Sequence, residues 1–124
     1  RTHSSLGDIE LKRLDYPAAK TEYDTAVQIL SKEPRLTNQL GQTFSKTALL
    51  YFEWGKNREE ERDLNDAAKK YKTSVSFYNK AKDAFKKADN QVGLNDATSG
   101  YNEAKKHYDD AQEALKAPPD AKPN

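Results

Sequence analysis

A small residue, three positions, an aromatic ring, two positions, and another small residue: this spacing recurs as Ala19-Tyr23-Ala26, Ala67-Tyr71-Ser74, Ala81-Phe85-Ala88 and Ala104-Tyr108-Ala111. Steps of four and then three keep each triplet on one face of an α-helix. Small residues beside a ring let a second helix come close while the ring fills the space between the two. The pattern predicts helices stacked at short range, and it points to an interaction scaffold rather than to an active site.

Composition sets how much such a stack can bury. The chain has 124 residues, enough for one domain with a real core but not for two. Only 35% of residues are apolar and the mean hydropathy is −1.10, so the core is expected to be thin and much of each helix wet. That composition leans toward disorder. Against it, the apolar residues are ordered into stripes, and all seven tyrosines fall on them. The 21 basic and 20 acidic side chains nearly cancel, so no global field recruits nucleic acid or an acidic membrane. Cysteine is absent, which excludes disulfides, thiol catalysis and thiolate zinc sites without fixing a compartment. No apolar run approaches the roughly 20 residues of a membrane span, so direct membrane insertion is not expected. The sequence starts at Arg1 and lacks methionine, which reads as a fragment or a processed form.

Five helical segments are expected. The first covers about Ser5 to Leu14, with Leu6, Ile9 and Leu14 inward. Asp15 then offers an N-cap, with Pro17 in the first turn of a second helix reaching about Lys32. Pro34 separates it from a third, about Arg35 to Trp54. This third helix is apolar on two faces: Leu36, Leu40, Phe44, Ala48, Tyr51 and Phe52 on one, Leu50 and Trp54 beside Thr43 and Thr47 on another. Neighbours on both sides are expected, which makes it the centre of the domain. Gly55 reads as its C-cap, and Asn57 with Glu60 as the capping pair of the next helix.

From Arg58 to Val92 there is neither glycine nor proline, and the seam Leu64, Ala67, Tyr71, Ser74, Tyr78, Ala81, Phe85, Ala88 stays in step. This predicts one long fourth helix of roughly 28 residues, about 42 Å. Its weakest stretch is Thr73 to Ser76, where a kink is the alternative to continuity. Gly93 is expected to close it, and Asn95 or Asp96 to cap a fifth helix carrying Leu94, Ala97, Tyr101, Ala104, Tyr108, Ala111 and Leu115 to about Lys116. Pro118, Pro119 and Pro123 mark residues 117–124 as an extended tail or linker.

Leu6-Gly7 followed by Ala19, Tyr23, Ala26 and Pro34 resembles a tetratricopeptide repeat (TPR), and a second Leu-Gly pair, Leu40-Gly41, lies one 34-residue repeat length on. The likeness is best over residues 5–34 and degenerate beyond, where position 53 lacks an alanine and Ala67 falls late. It implies an all-α, TPR-like right-handed stack of antiparallel helix hairpins over residues 1–116, binding a peptide or protein in the groove of the first helices. A plain antiparallel bundle with the same spacings is the alternative. The lysine–asparagine carboxylate clamp of one TPR subset is not matched, since Asp8 and Ser4 stand at the clamp positions.

No catalytic constellation emerges, so no enzyme activity and no cofactor are expected. Glu103 and His107 share a helix face at i, i+4, but without a third ligand the pair reads as a surface contact, and no metal is assigned. Glu59, Glu60, Glu61 and Asp63 beside Arg58 and Arg62 read as acids favoured at a helix start. The lysines of the fourth helix (Lys69, Lys70, Lys72, Lys80, Lys82, Lys86, Lys87) are interleaved with acids and lie off the aromatic seam. They read as a solvated face rather than a nucleic-acid platform.

The sequence-level function is therefore a non-catalytic protein–protein interaction module. Its candidate partner-binding surface is the second face of the third helix: Thr43, Lys46, Thr47, Leu50 and Trp54. The competing expectation is a structural role, with the long seam serving coiled-coil-like self-assembly into a homo-oligomer or acting as a spacer.

Overall fold

Asp15 starts the first helix as its composition requires. Its Oδ1 accepts the Ala18 N–H at 3.1 Å, and Pro17 sits in the first turn, where a missing donor costs nothing. The computed structural model describes residues 15–116, and four α-helices follow one another: α1 (Tyr16–Leu30), α2 (Thr37–Glu60), α3 (Leu64–Lys87) and α4 (Gln91–Lys116). A single 3-10 turn, Pro34–Leu36, leads into α2. The all-α reading holds for the described residues. The expected first helix, about Ser5 to Leu14, and the tail 117–124 lie outside them.

The boundaries inside the chain differ from those expected. Gly55 does not end a helix: α2 continues to Glu60, and Asn57 and Glu60 are inside it rather than capping the next one. The uninterrupted stretch from Arg58 to Val92 is broken at both ends by non-glycine residues in the left-handed region, Arg62 (φ 64°) and Asp89 (φ 56°). Each closes its helix in the same way. The Arg62 N–H donates to the Glu59 carbonyl and the Asp63 N–H to that of Arg58; Asp89 donates to Lys86 and Asn90 to Phe85. The last residue of each turn caps the next helix: Asp63 accepts from the Asp66 N–H at 3.1 Å, and the Asn90 Oδ1 from the Gly93 N–H at 2.9 Å. Gly93 therefore lies inside α4 instead of closing α3, and Asn90 takes the cap expected of Asn95 or Asp96. Asn90 also donates to Asn38 Oδ1 at 2.7 Å, tying this turn to the start of α2. Three-residue turns force α2, α3 and α4 into antiparallel neighbours, with α1 packed on the far side of α2 and a light contact between α2 and α4.

The repeated spacing finds its use in α3. Tyr71, Tyr78 and Phe85 are seven residues apart, and each ring is held between the two flanking helices. Phe85 lies on both Gly41 of α2 and Gly93 of α4, where an added Cβ would fall 2.9 and 2.6 Å from the ring. Tyr78 lies on Gly100 of α4, at 2.4 Å by the same measure, and shares its core cluster with Ala48 of α2. Tyr71 lies on Gly55 of α2 and against the His107 ring of α4, centroids 5.3 Å apart. The partners recur every seven residues as well: Gly41, Ala48 and Gly55 on α2; Gly93, Gly100 and His107 on α4. These glycines are helical, and what matters is their lack of a side chain, which makes each a seat for a ring.

Between the ring layers small residues meet. Ala67, Ala104 and Ala111 share one cluster, and Ala81 joins Ala97 and Phe85 in another. Ser74 is fully buried, but its hydroxyl donates to the Ala48 carbonyl at 2.7 Å, so a polar group in the middle of the seam is satisfied across the helix pair. No kink arises at Thr73 to Ser76; α3 runs unbroken from Leu64 to Lys87.

Candidate functional site

Two pairs of adjacent aromatics, Tyr51-Phe52 on α2 and Phe77-Tyr78 on α3, cannot put both rings on one helical face. Phe52 and Tyr78 turn into the α2–α3–α4 core; Tyr51 and Phe77 turn toward α1. There they continue a row of five rings. Tyr16 stacks on Trp54 (centroids 5.6 Å, planes within 10°), Trp54 on Tyr51 (5.7 Å), Tyr51 on Phe77 (5.9 Å, planes within 6°), and Phe77 meets Phe44 at 6.1 Å. Spacings of this kind contribute attraction beyond area burial.

The row runs along the cleft between α1 and α3, with α2 as its floor. Trp54, Phe77 and Phe44 remain half-buried, while Tyr16 and Tyr51 are nearly covered. Two lysines of α3 border it. Lys70 Nζ stands 4.4 Å from the Trp54 ring centroid, and Lys80 Nζ 4.9 Å from Phe77 and 5.9 Å from Phe44. Beyond Tyr51 the cleft widens into a groove of about 410 Å³ lined by Asp24, Val27, Gln28, Phe44, Phe77 and Lys80. On the α1 wall Asp24 is paired with Lys20 at 2.7 Å. Burial pushes the Tyr51 phenol above its ordinary value, with Lys20 pulling it down and Asp24 pushing it up. The site thus offers flat apolar rings, cationic edges and one neutralised acid.

The residues expected to form a contact surface are divided by the structure. Thr43, Thr47 and Leu50 are buried, Leu50 against Tyr16, Ala19 and Tyr23 of α1, so this face is a packing face and not a free surface. The Thr47 hydroxyl donates to the Thr43 carbonyl at 2.8 Å, which lets a threonine sit there without an unpaired group. The covering helix is α1, where two apolar faces on α2 had required some neighbour. Trp54 stays only partly buried as part of the ring row. Lys46 lies elsewhere, in a smaller groove of about 360 Å³ between α2 and α4 beside Gln42, Ser45 and Asp96, where Val92 is 71% exposed.

His107, expected to make a surface contact with Glu103, turns inward instead. It meets Phe52 edge-on at 4.8 Å and completes the Tyr71 layer. Arg58 gathers the acids of the α2–α3 turn, with Nη2 2.9 Å from Asp63 and Nε 3.0 Å from Asp66, while Glu59 accepts the Tyr71 hydroxyl at 2.6 Å. The Asp66 N–H and the Arg58 guanidinium together hold the Asp63 carboxyl below the usual carboxylate range. Those acids are engaged in closing the turn. Among the described residues, no group of three or more His, Cys, Asp or Glu is placed to hold a metal, and no helix is long and apolar enough to cross a membrane.

The described chain defines a series of consecutive antiparallel helices with an aromatic cleft on one side. Comparison with protein-family models, with curated proteins and with solved structures finds no match to it.

Proposed function

We propose that this chain is a non-catalytic protein-interaction module, a TPR-like helical scaffold whose contact surface is the aromatic cleft between α1 and α3. One observation carries the reading: three rings of a five-ring row, Trp54, Phe77 and Phe44, are only partly buried in a chain otherwise so short of apolar residues. A sequence that is 35% apolar and still leaves its only tryptophan partly uncovered is using that ring for something besides its own core. Aromatic anchors in a cleft with charged rims are the usual composition of an interaction hot spot. Lys70 on the α3 wall is already paired with Asp66 at 3.1 Å, which leaves exposed Lys80 as the cation that favours a partner with acidic groups beside its apolar ones. The partner class is thus an acidic amphipathic helix laid lengthwise between α1 and α3.

The test uses synthetic 15-residue amphipathic helices with acidic or basic flanks, titrated against the isotopically labelled chain. The acidic set is expected to shift resonances of Val27, Phe44, Trp54 and Phe77 and to lose that effect in Phe77→Ser. Shifts centred on the outer face of α4, or an equal response to the basic set, contradict the reading. The self-assembly alternative loses its main support here, because the long seam is consumed by α4 of the same chain. A mass that stays constant with concentration in sedimentation is the expected companion result.

A further inference from the structure

Along the chain the lysines from Lys69 to Lys87 look balanced by nearby acids, but the fold separates the two. Of the acids between Arg58 and Val92, Glu59, Glu60, Glu61, Asp63 and Asp89 belong to α2 or to the turns. Helix α3 itself holds seven lysines against two acids, Asp66 and Asp83. Asp66 is taken by Arg58 and Lys70. Among the described residues no carboxylate forms an ion pair with Lys69, Lys80 or Lys87, whereas Lys20, Lys56 and Lys105 each have one.

Those three lysines are exposed, and they fall on one line. Steps of 11 and 7 residues are three and two helical turns to within about 20°, and together they make five whole turns, so the line runs about 27 Å along α3. Phe77 lies less than a quarter turn round the helix from it, so this ridge follows the α3 side of the aromatic cleft. Lys80 joins the two, with Nζ 4.9 Å from the Phe77 centroid. The α1 wall offers no cation in exchange, since its Lys20 is held by Asp24 at 2.7 Å.

We propose that the lysine ridge of α3, Lys69, Lys80 and Lys87, recognises one acidic flank of the helix that the cleft takes and governs how fast that partner arrives. Helices side by side share one rise per residue, so the partner is an amphipathic helix of about 19 residues or more. Its acids are confined to one flank in steps of two and three turns, and its apolar side rests on Trp54, Phe77 and Phe44. Exposed charges act over a Debye length of about 8–10 Å, so the ridge steers the encounter while the ring contacts set the rate of leaving. The proposal rests on the interaction reading of the cleft and adds to it the length, charge pattern and kinetics of the partner.

The test mixes the full chain with two synthetic 22-residue helices of identical composition and no tryptophan, one with its acids along a single flank, the other with them scattered. Trp54, the sole tryptophan, reports association in stopped flow. At low salt the flank design should associate about tenfold faster than the scattered one, an advantage that shrinks to about twofold at high salt. Lys69→Glu/Lys87→Glu, two exposed positions outside the cleft, should abolish the advantage while changing the dissociation rate less than about twofold. The neutral pair Lys69→Gln/Lys87→Gln should fall between. Equal association of the two designs with the unmodified chain, or rates unmoved in the Glu variant, overturn the proposal and leave the cleft reading standing. A DNA duplex that binds more tightly than the flank design, and loses that binding in the same variant, gives the ridge to nucleic acid and also overturns it. If neither design shifts the resonances of Phe44, Trp54 and Phe77, the cleft reading fails and the ridge proposal with it.

Discussion

Neighbouring side chains in this chain do unlike work, and the tyrosines show it in their chemistry. Tyr78, enclosed by the α2 and α4 walls, has its phenol pushed up to about 12, first by burial and then by the charges of Glu103 and Glu53. Burial also raises Tyr71, and its hydrogen bond to Glu59 adds to the effect. Because the folded state holds these phenols neutral, their contribution to stability is complete below the ordinary tyrosine range. It falls as pH rises from about 10 toward 12, where the unfolded chain ionises and the folded one does not. Tyrosinate absorbance followed against pH should therefore rise in two stages, the later one coinciding with loss of helical circular dichroism. A single stage complete before any loss of helix contradicts the enclosed position of these rings.

At the scale of the helix the seven-residue recurrence decides the packing. Ring positions 71, 78 and 85 of α3 match small positions 41, 48 and 55 of α2 and positions 93, 100 and 107 of α4. The α3 half of this was legible in the sequence, because the seam kept its step from Leu64 to Ala88. The glycine half was not: read alone, Gly55 and Gly93 carry the signature of helix ends, and only the facing ring explains them as helix interiors. The actual ends were hidden for the converse reason, since Arg62 and Asp89 hold the left-handed positions that glycine usually takes. The seat assignment predicts a reversal of ordinary helix propensity. Gly100→Ala, which by propensity alone gains up to about 1 kcal/mol, should destabilise the chain by about 1–3 kcal/mol because its Cβ meets the Tyr78 ring. In a Tyr78→Leu background the same substitution should become neutral or stabilising. Chemical denaturation of the four members of this cycle measures the coupling. A Gly100→Ala effect that is the same in both backgrounds shows that the ring is not the cause.

Across the whole molecule, α3 separates two jobs: its seam holds α2 and α4, and its next-door face, with Lys70, Phe77 and Lys80, borders the cleft. The sequence made the first visible and concealed the second. Phe77 lies off the seam, and its lysine neighbours, mixed with acids, read as a solvated face. Trp54 was singled out as a contact residue and lies partly buried in the ring row, while its helical neighbours Thr43, Thr47 and Leu50 proved to be buried, Leu50 against α1. Which face of a two-faced helix its neighbour covers depends on tertiary placement, and periodicity carries no information on it. The doublets Tyr51-Phe52 and Phe77-Tyr78 were the available signal that two ring systems exist, one on each side of the α2–α3 pair.

That division of labour is tested most directly by truncating two adjacent rings. Tyr78→Ala removes a ring from a layer and should cost about 3–5 kcal/mol, the range for large rings in cores, taking much of the stability of a small domain. Phe77→Ala, one residue away on the half-exposed cleft face, should cost less than about 2 kcal/mol and leave a folded chain. Equal losses in the two unfolding curves, or the larger loss at Phe77, would contradict the account.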